Sequence, residues 1–187
     1  LGQVIEKRIV ARDEAITVAG ARVLPFKTYH GASAPGSVGY CIEFHSQPKD
    51  FKVVYTADFM SIPDEPSSLL NPDILVMQSH WFNEPEHNRP CHMSFQRAIS
   101  YIKKWNPSKA TYLVHISDGD QIPGDPANAY LKKMVPVKPF AHPVTDVPYP
   151  VPRCRREWQD VVNNVCMDYE IPCPVFVPED GESVRLW

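Results

Sequence analysis

Two short apolar runs on either side of an amphipathic helix constrain the fold of this chain more than any other feature of its sequence. The runs Ile74–Met77 and Thr111–Val114 have the length and composition of strands that are covered on both faces. Between them, the stretch SFQRAISYIKKW carries apolar residues at helical spacing. Ser94 can cap the first turn of this helix, and Asn106 followed by Pro107 ends it. The order of strand, helix and strand predicts a layered α/β fold.

Other segments extend the same alternation. The further predicted elements are a hairpin over residues 15–26 that turns near Ala19 and Gly20, strands at Val38–Phe44 and Lys52–Tyr55, a helix near residues 155–166, and a closing strand at PVFV. With 187 residues, 43% of them hydrophobic and 22% charged, the chain has the size and composition of one globular domain. A net charge of −3 gives no broad attraction to nucleic acid or to an anionic membrane.

The prolines are concentrated in one region of the sequence. Eight of the 20 prolines fall between Pro123 and Pro152, and each removes a backbone donor and fixes φ. Residues 122–153 are therefore predicted to be an extended insertion that lies on the surface, between residues 1–121 and a closing helix and strand in residues 154–187. The five cysteines include no C-x-x-C pair, which favours reduced intracellular thiols over a disulfide framework or a structural zinc site.

Four polar residues stand where predicted strands or loops end. His30 follows FKTY, Asp58 follows VVYTA, His92 lies just before the central helix, and His115 ends the strand TYLV. Imidazoles and an interposed carboxylate are the ligands of zinc and other transition-metal hydrolases. Each residue alone also fits a simpler interpretation. In this simpler interpretation, His115 is a core histidine satisfied by one hydrogen bond, and His30 is a loop residue. Asp58 is then a turn residue, and His92 is part of a helix N-terminus.

Several stretches resemble the C-terminal half of a metallo-β-lactamase-fold hydrolase, and are most similar to the branch that includes the cyclic phosphodiesterase of phosphonate degradation. YHGASAPGSVGYCIEF resembles the family's histidine-glycine, variable loop and Gly-Tyr strand, and KVVYTADF resembles the strand that ends in the metal-bridging aspartate. HMSFQRAISYIKKWNPSKATYLVHISD resembles the family's His-Leu-Ser, helix and strand ending in Thr-His-Ile-Ser. PEDGESVRL is similar to the family's last strand. The resemblance implies an αββα sandwich, of which this chain supplies the C-terminal half.

The resemblance also implies a role for each candidate residue. His30 would be a ligand of a first metal ion, His115 a ligand of a second, and Asp58 the carboxylate shared by both, with Zn²⁺ or Mn²⁺ as the ions. His92 would lie near the leaving group and protonate it. His80 is interpreted as a surface residue or as a residue that supports the ligands from behind, like His87.

The family's His-x-His-x-Asp-His motif has no counterpart in this sequence. We therefore expect an incomplete two-ion site whose N-terminal half is cleaved, lost or provided by another chain. Without that half, the strands would expose an apolar face and an open edge.

Two functions are compatible with these observations. The first is a metal-dependent hydrolase of phosphodiesters, such as a cyclic nucleotide-like molecule or an RNA end, with a thioester or lactone as a wider alternative. The second is a non-catalytic subunit of this fold that acts as a structural or assembly component, with the proline-rich insertion docking on a partner. A free-standing nucleic-acid-binding module is disfavoured because no basic stripe is present. We expect an intracellular location, in the cytoplasm or in an organelle such as the mitochondrion, without membrane attachment.

Overall fold

The computed structural model describes residues 14–45, 49–88, 91–122, 124–125 and 134–184. These residues form a seven-stranded sheet in which the strands follow one another in chain order. The strands are β1 Ile16–Val18, β2 Ala21–Lys27, β3 Val38–Phe44, β4 Phe51–Tyr55, β5 Ile74–Gln78, β6 Ala110–Val114 and β7 Val175–Phe176. The helices are a short 3₁₀ helix at Ser67–Leu69, α1 at Phe95–Trp105 and α2 at Arg155–Asp168. Within the described ranges, no helix combines the length and the apolar composition that crossing a bilayer requires.

The directions of the strands decide where the loops collect. β1 to β4 pair with one another antiparallel, whereas β4 to β7 pair parallel. β2 and β4 are both antiparallel to β3 and therefore run in the same direction as each other. Consequently β2, β4, β5 and β6 all end at the same edge of the sheet. α1 lies in the crossover between β5 and β6. The predicted hairpin, the strands up to PVFV and both predicted helices are present with small differences in their bounds, which confirms the layered α/β prediction.

One face of the sheet is covered by both α-helices. α1 buries the apolar stripe that the sequence predicts, and Trp105 at its end has no exposed surface. From the sheet, Leu75, Met77 and Leu113 belong to the same buried cluster, and α2 adds Trp158. Each fully buried aliphatic side chain of this kind stabilises the fold by about 2 kcal/mol. The main core of the molecule therefore lies between this face and the helices.

The opposite face of the sheet carries a row of apolar and aromatic side chains. The row contains one residue from each of β3 to β7, and each is paired in register with the next: Tyr40, Tyr55, Val76, Tyr112 and Phe176. Tyr40, Tyr55 and Phe176 are 37%, 40% and 42% exposed. Neither α-helix contributes to the smaller apolar cluster on this face. The exposed apolar face that the sequence analysis expects is thus present in the described part of the chain.

The proline-rich insertion is partly built into the core. Residues 134–152 form no helix or strand beyond isolated bridges, but Phe140 is only 3% exposed. Its ring centroid lies 5.7 Å from that of Phe82 and 5.9 Å from that of Phe95. The prediction that the insertion lies on the surface is wrong for Phe140, because proline content limits backbone pairing and does not prevent a side chain from being buried. The remainder of the insertion, Pro123 and residues 126–133, lies outside the described residues.

The segment PEDGESVRL does not form the predicted last strand in its described part. Residues 178–184 contain a turn and no strand, and residues 185–186 of the segment lie outside the described residues. Arg155 of α2 instead ties this segment down through ion pairs with Glu179 and Glu182.

Ser94 caps α1 as the sequence predicts. Its Oγ accepts a hydrogen bond from the Arg97 backbone N–H at 3.1 Å and donates one to Glu84 Oε2 at 2.5 Å. We expect Ser94→Ala to lower the free energy of unfolding by about 1 kcal/mol, as measured by urea denaturation. Ser100→Ala, at an exposed position of the same helix, is the control and should change it by less than ~0.5 kcal/mol. Equal losses in the two variants would contradict the capping role.

Candidate metal centre

Side chains that follow four strands meet at one edge of the sheet. His30 lies after β2, Asp58 after β4, His80 after β5 and His115 immediately after β6. Because these strands run in the same direction, their carboxyl ends bring the four side chains to one place. His92 reaches the same place from the residues that precede α1.

The structure brings together all four residues that the sequence singles out. Asp58 Oδ1 lies 2.7 Å from His115 Nδ1. The ring centroids of His30 and His92 are 4.9 Å apart, and those of His92 and His115 are 4.8 Å apart. The side chain of His115 is 41% exposed, so the interpretation as a core histidine satisfied by one hydrogen bond does not hold.

Strained backbone surrounds the same side chains. Ala57, Cys91 and His115 have φ values of 52°, 58° and 57°, in the left-handed region that residues with a side chain rarely adopt. Ala57 immediately precedes Asp58, and Cys91 immediately precedes His92. Such conformations cost on the order of 1 kcal/mol each and cluster at functional sites, where the fold holds side chains in fixed directions.

His80 belongs to the cluster although the sequence analysis does not single it out. Its ring is stacked on that of His92 with the centroids 4.3 Å apart, and lies 5.0 Å from that of His115. One nitrogen from each of His80, His92 and His115 lies within 4.8 Å of the others. His80 is therefore part of the site and not a separate surface residue, whereas His87 is exposed. Its position two residues after the end of β5, at the edge where the other ligands collect, is the signal that could have identified it.

Gln78 is a second residue that sequence reasoning missed. It is the last residue of β5, and it has no exposed surface. Its Nε2 lies 3.2 Å from Asp58 Oδ1 and 2.9 Å from His115 Nδ1, and it also contacts His92 Nδ1. A polar residue at the end of a strand is common, so nothing in the sequence pattern distinguishes Gln78 from an ordinary strand terminus.

Burial and mutual repulsion keep two of the imidazoles neutral. Burial, followed by the nearby imidazoles of His80, His115 and His30, lowers the pKa of His92 to about 4. Burial, followed by His115, also lowers the pKa of His80. At pH 7 both rings are therefore neutral, and each has a lone pair on one nitrogen. The proton-donating role of His92 stays a prediction, since a neutral imidazole is a weak acid.

The chemistry of the side chains fits a divalent transition-metal ion. His30 Nδ1 lies 3.0 Å from the Cys91 carbonyl oxygen, an acceptor only, so in the neutral ring Nδ1 carries the proton and Nε2 has the lone pair that a metal ion requires. The contact of His115 Nδ1 with the Asp58 carboxylate likewise places the proton of the neutral ring on Nδ1 and the lone pair on Nε2. Histidines that bind metals donate their other N–H to a carbonyl or carboxylate in this way. The Nδ1 of His80 is buried without a hydrogen-bond partner, which is costly unless a ligand satisfies it.

Trp81 supports the cluster from the side of the β6 loop. The ring centroids of Trp81 and His80 are 4.4 Å apart. A Cβ added at Gly119, in the loop after β6, would lie only 2.3 Å from a ring atom of Trp81. We expect Gly119→Ala to displace Trp81 and to lower the free energy of unfolding by about 1–3 kcal/mol, as measured by urea denaturation. Gly36→Ala is the matched control, because a Cβ there meets nothing within 4 Å. If both variants unfold like the wild type, Trp81 does not require this close approach.

Solved structures of other proteins share the fold of this chain. The chain is similar to the metallo-β-lactamase fold protein YhfI from Bacillus subtilis, with 14% identity over 91% of this chain and 52% of that one, and a TM-score of 0.51. It is similar to a possible metal-dependent hydrolase from Veillonella parvula, with 14% identity over 92% of this chain and 57% of that one, and a TM-score of 0.50. A diphosphatase from the PhnP family is 26% identical over 57% of this chain and 37% of that one, with a TM-score of 0.42.

The likenesses to the Bacillus and Veillonella proteins show the fold. No protein-family model matches the chain, and a search of curated proteins found no match. The chain has the metallo-β-lactamase fold, as the sequence resemblance implies. It spans about half the length of the Bacillus and Veillonella proteins.

Proposed function

We propose that this protein is a metal-dependent hydrolase that acts on phosphodiesters. The observation that carries the proposal is the convergence of Asp58 with the imidazoles of His30, His80, His92 and His115 at the carboxyl edge of the sheet. The preference for phosphodiesters rests on the sequence resemblance to the cyclic phosphodiesterase branch. A cyclic nucleotide-like molecule or an RNA end is the substrate class that this resemblance favours.

The side chains divide into ligands and a neighbour of the substrate. Asp58 and the Nε2 atoms of His30 and His115 would hold the metal, Zn²⁺ or Mn²⁺, and the imidazole of His80 would offer a further nitrogen ligand close by. A bound divalent ion would supply Lewis-acid chemistry and lower the pKa of a water molecule. The ring of His92 borders the same space, where it can contact the leaving-group oxygen of a phosphodiester.

The exposed face of the sheet supports a further part of the proposal, that a second β-sheet covers it in the active protein. Tyr40, Tyr55 and Phe176 are each more than a third exposed. A contiguous apolar surface of this kind is seldom left open to solvent. Two sheets that pack face to face bury such surfaces against each other. The covering sheet would come from another segment of the protein or from another chain, and would add ligands to the site.

Hydrolysis of a chromogenic phosphodiester tests the proposal. We expect the purified protein to hydrolyse bis(p-nitrophenyl) phosphate faster than the monoester p-nitrophenyl phosphate, to lose activity after treatment with EDTA, and to regain it with Zn²⁺ or Mn²⁺. Activity that survives exhaustive chelation would overturn the metal-dependent reaction. Activity on the monoester alone would overturn the preference for phosphodiesters.

A second candidate is a non-catalytic subunit of this fold, and one observation favours it. Four valines of the insertion are largely exposed, namely Val135, Val137, Val144 and Val147. Exposed apolar side chains on an extended segment suit docking on a partner. This candidate predicts a stable complex that is lost in the double variant Val137→Ser, Val144→Ser, and it predicts no metal-dependent turnover.

A further inference from the structure

The orientation of the Gln78 amide is fixed by the backbone around it. Gln78 Oε1 accepts hydrogen bonds from the Phe59 N–H at 2.8 Å and from the Met93 N–H at 3.4 Å. Both donors are backbone groups, so the atom that they contact must be the oxygen. The NH₂ group of Gln78 therefore faces the cluster of imidazoles.

This NH₂ group has two hydrogens and three neighbours, and the chemistry of the neighbours decides between them. The neighbours are Asp58 Oδ1, His115 Nδ1 and His92 Nδ1. His115 Nδ1 is also 2.7 Å from Asp58 Oδ1, and since a carboxylate only accepts, His115 donates its proton there. The two amide hydrogens are then left for Asp58 Oδ1 and His92 Nδ1. His92 Nδ1 is thus an acceptor, and the proton of the neutral ring lies on Nε2.

We propose that Gln78 is a positioning residue that holds His92 in the Nε2–H tautomer, and so keeps its Nε2–H directed to the role beside the leaving group that the sequence resemblance implies and away from metal ligation. The proposal rests on the proposed function for the identity of the substrate and deepens it by assigning His92 within the cluster. His30 and His115 have the opposite tautomer, with Nδ1 protonated and Nε2 free. The same kind of side chain therefore has two different roles in one site, and the hydrogen-bond partner of each Nδ1 decides which.

The substitution Gln78→Glu replaces the NH₂ donor that faces His92 Nδ1 with a carboxylate oxygen, which only accepts, and changes the shape of the side chain little. A carboxylate at this position accepts, so we expect His92 to move its proton to Nδ1 and to free Nε2 as an additional ligand. The affinity for Zn²⁺ should rise by about tenfold or more, whereas kcat for a phosphodiester should fall by about tenfold or more because the donor to the substrate is lost. The added negative charge alone would also raise the affinity for Zn²⁺, so the tautomer of His92 is the readout that a merely structural role for Gln78 would not move. Gln159→Glu, the same change on α2, where the side chain is hydrogen-bonded to Asn163 and Val175, is the matched control and should alter neither the affinity nor kcat.

Long-range ¹H–¹⁵N correlation spectra of the histidine rings provide the direct readout in the metal-free full chain. We expect His92 as the Nε2–H tautomer in the wild type and as the Nδ1–H tautomer in Gln78→Glu. If Gln78→Glu does not fold, Gln78→Met removes the amide donor, and His92 should then populate both tautomers. An Nδ1–H tautomer in the wild type, or an unchanged single tautomer in the folded variant, would overturn the proposal. Failure of the wild type to bind Zn²⁺ would overturn the proposed function instead, while the tautomer of His92 would still decide the role of Gln78.

Discussion

Replacing Asp58 with asparagine is expected to abolish divalent-metal binding and, with it, the hydrolysis of phosphodiesters. Asparagine keeps the shape of the side chain but removes the negative charge that a divalent ion requires among otherwise neutral ligands. It also removes the acceptor that fixes the His115 tautomer, since the amide of asparagine can present its NH₂ group to His115 Nδ1. One substitution therefore loses a ligand and disturbs a second one.

The measurement is a calorimetric titration of the metal-free protein with Zn²⁺ and with Mn²⁺, together with turnover of bis(p-nitrophenyl) phosphate. Asp50→Asn is the matched control, because Asp50 is an exposed aspartate that pairs with a histidine, His45, on the surface. We expect the control to keep wild-type affinity and turnover. Retention of both by Asp58→Asn would contradict the assignment of Asp58 as the central carboxylate.

Replacing Asp120 with alanine is expected to cause a larger loss of stability than either Ser94→Ala or Gly119→Ala. Asp120 is 4% exposed, and its carboxylate accepts hydrogen bonds from the backbone N–H groups of Phe82 and Asn83 at 2.8 and 2.9 Å. It also accepts one from Asn83 Nδ2 at 3.2 Å, while Asn83 Oδ1 accepts from the Phe140 N–H at 2.7 Å. This network joins the loop after β5, the loop after β6 and the insertion.

Alanine would leave these buried donors without an acceptor. Hydrogen bonds to a charged group contribute about 1.5–3 kcal/mol each, and their loss is only partly additive, so we expect the free energy of unfolding to fall by about 4 kcal/mol. Urea denaturation followed by circular dichroism measures the loss. Asp160→Ala, at an exposed position of α2, should change the stability by less than ~0.5 kcal/mol. A loss below ~1 kcal/mol in Asp120→Ala would mean that other groups or water satisfy the same donors.

The sequence predicts the strands and helices well because their signals are local. The stripe from Phe95 to Trp105, the cap at Ser94 and the short apolar runs of β5 and β6 each require only neighbouring residues. His30, Asp58 and His115 are also recognisable, since they follow predicted strands whose ends collect at one edge.

The residues that the sequence does not reveal depend on contacts between distant segments. Gln78 becomes distinctive only when Asp58 and His92 are placed beside it, from positions 20 and 14 residues away. His80 lies in a polar loop whose composition is that of a surface segment. Phe140 is buried although the prolines around it indicate an exposed, extended chain. Composition describes the local backbone, whereas burial is decided by the packing of the whole molecule.

The metal content of the protein tests the central claim most directly. The purified chain would be incubated with excess Zn²⁺ or Mn²⁺, freed of unbound metal and analysed by inductively coupled plasma mass spectrometry, with Co²⁺ as a spectroscopic probe of the ligands. We expect at least one tightly bound ion per chain, a Co²⁺ absorption spectrum typical of nitrogen and oxygen ligands, and loss of both in His115→Ala. A wild-type protein that is correctly folded and retains no metal under these conditions would contradict the assignment of this edge of the sheet as a metal centre.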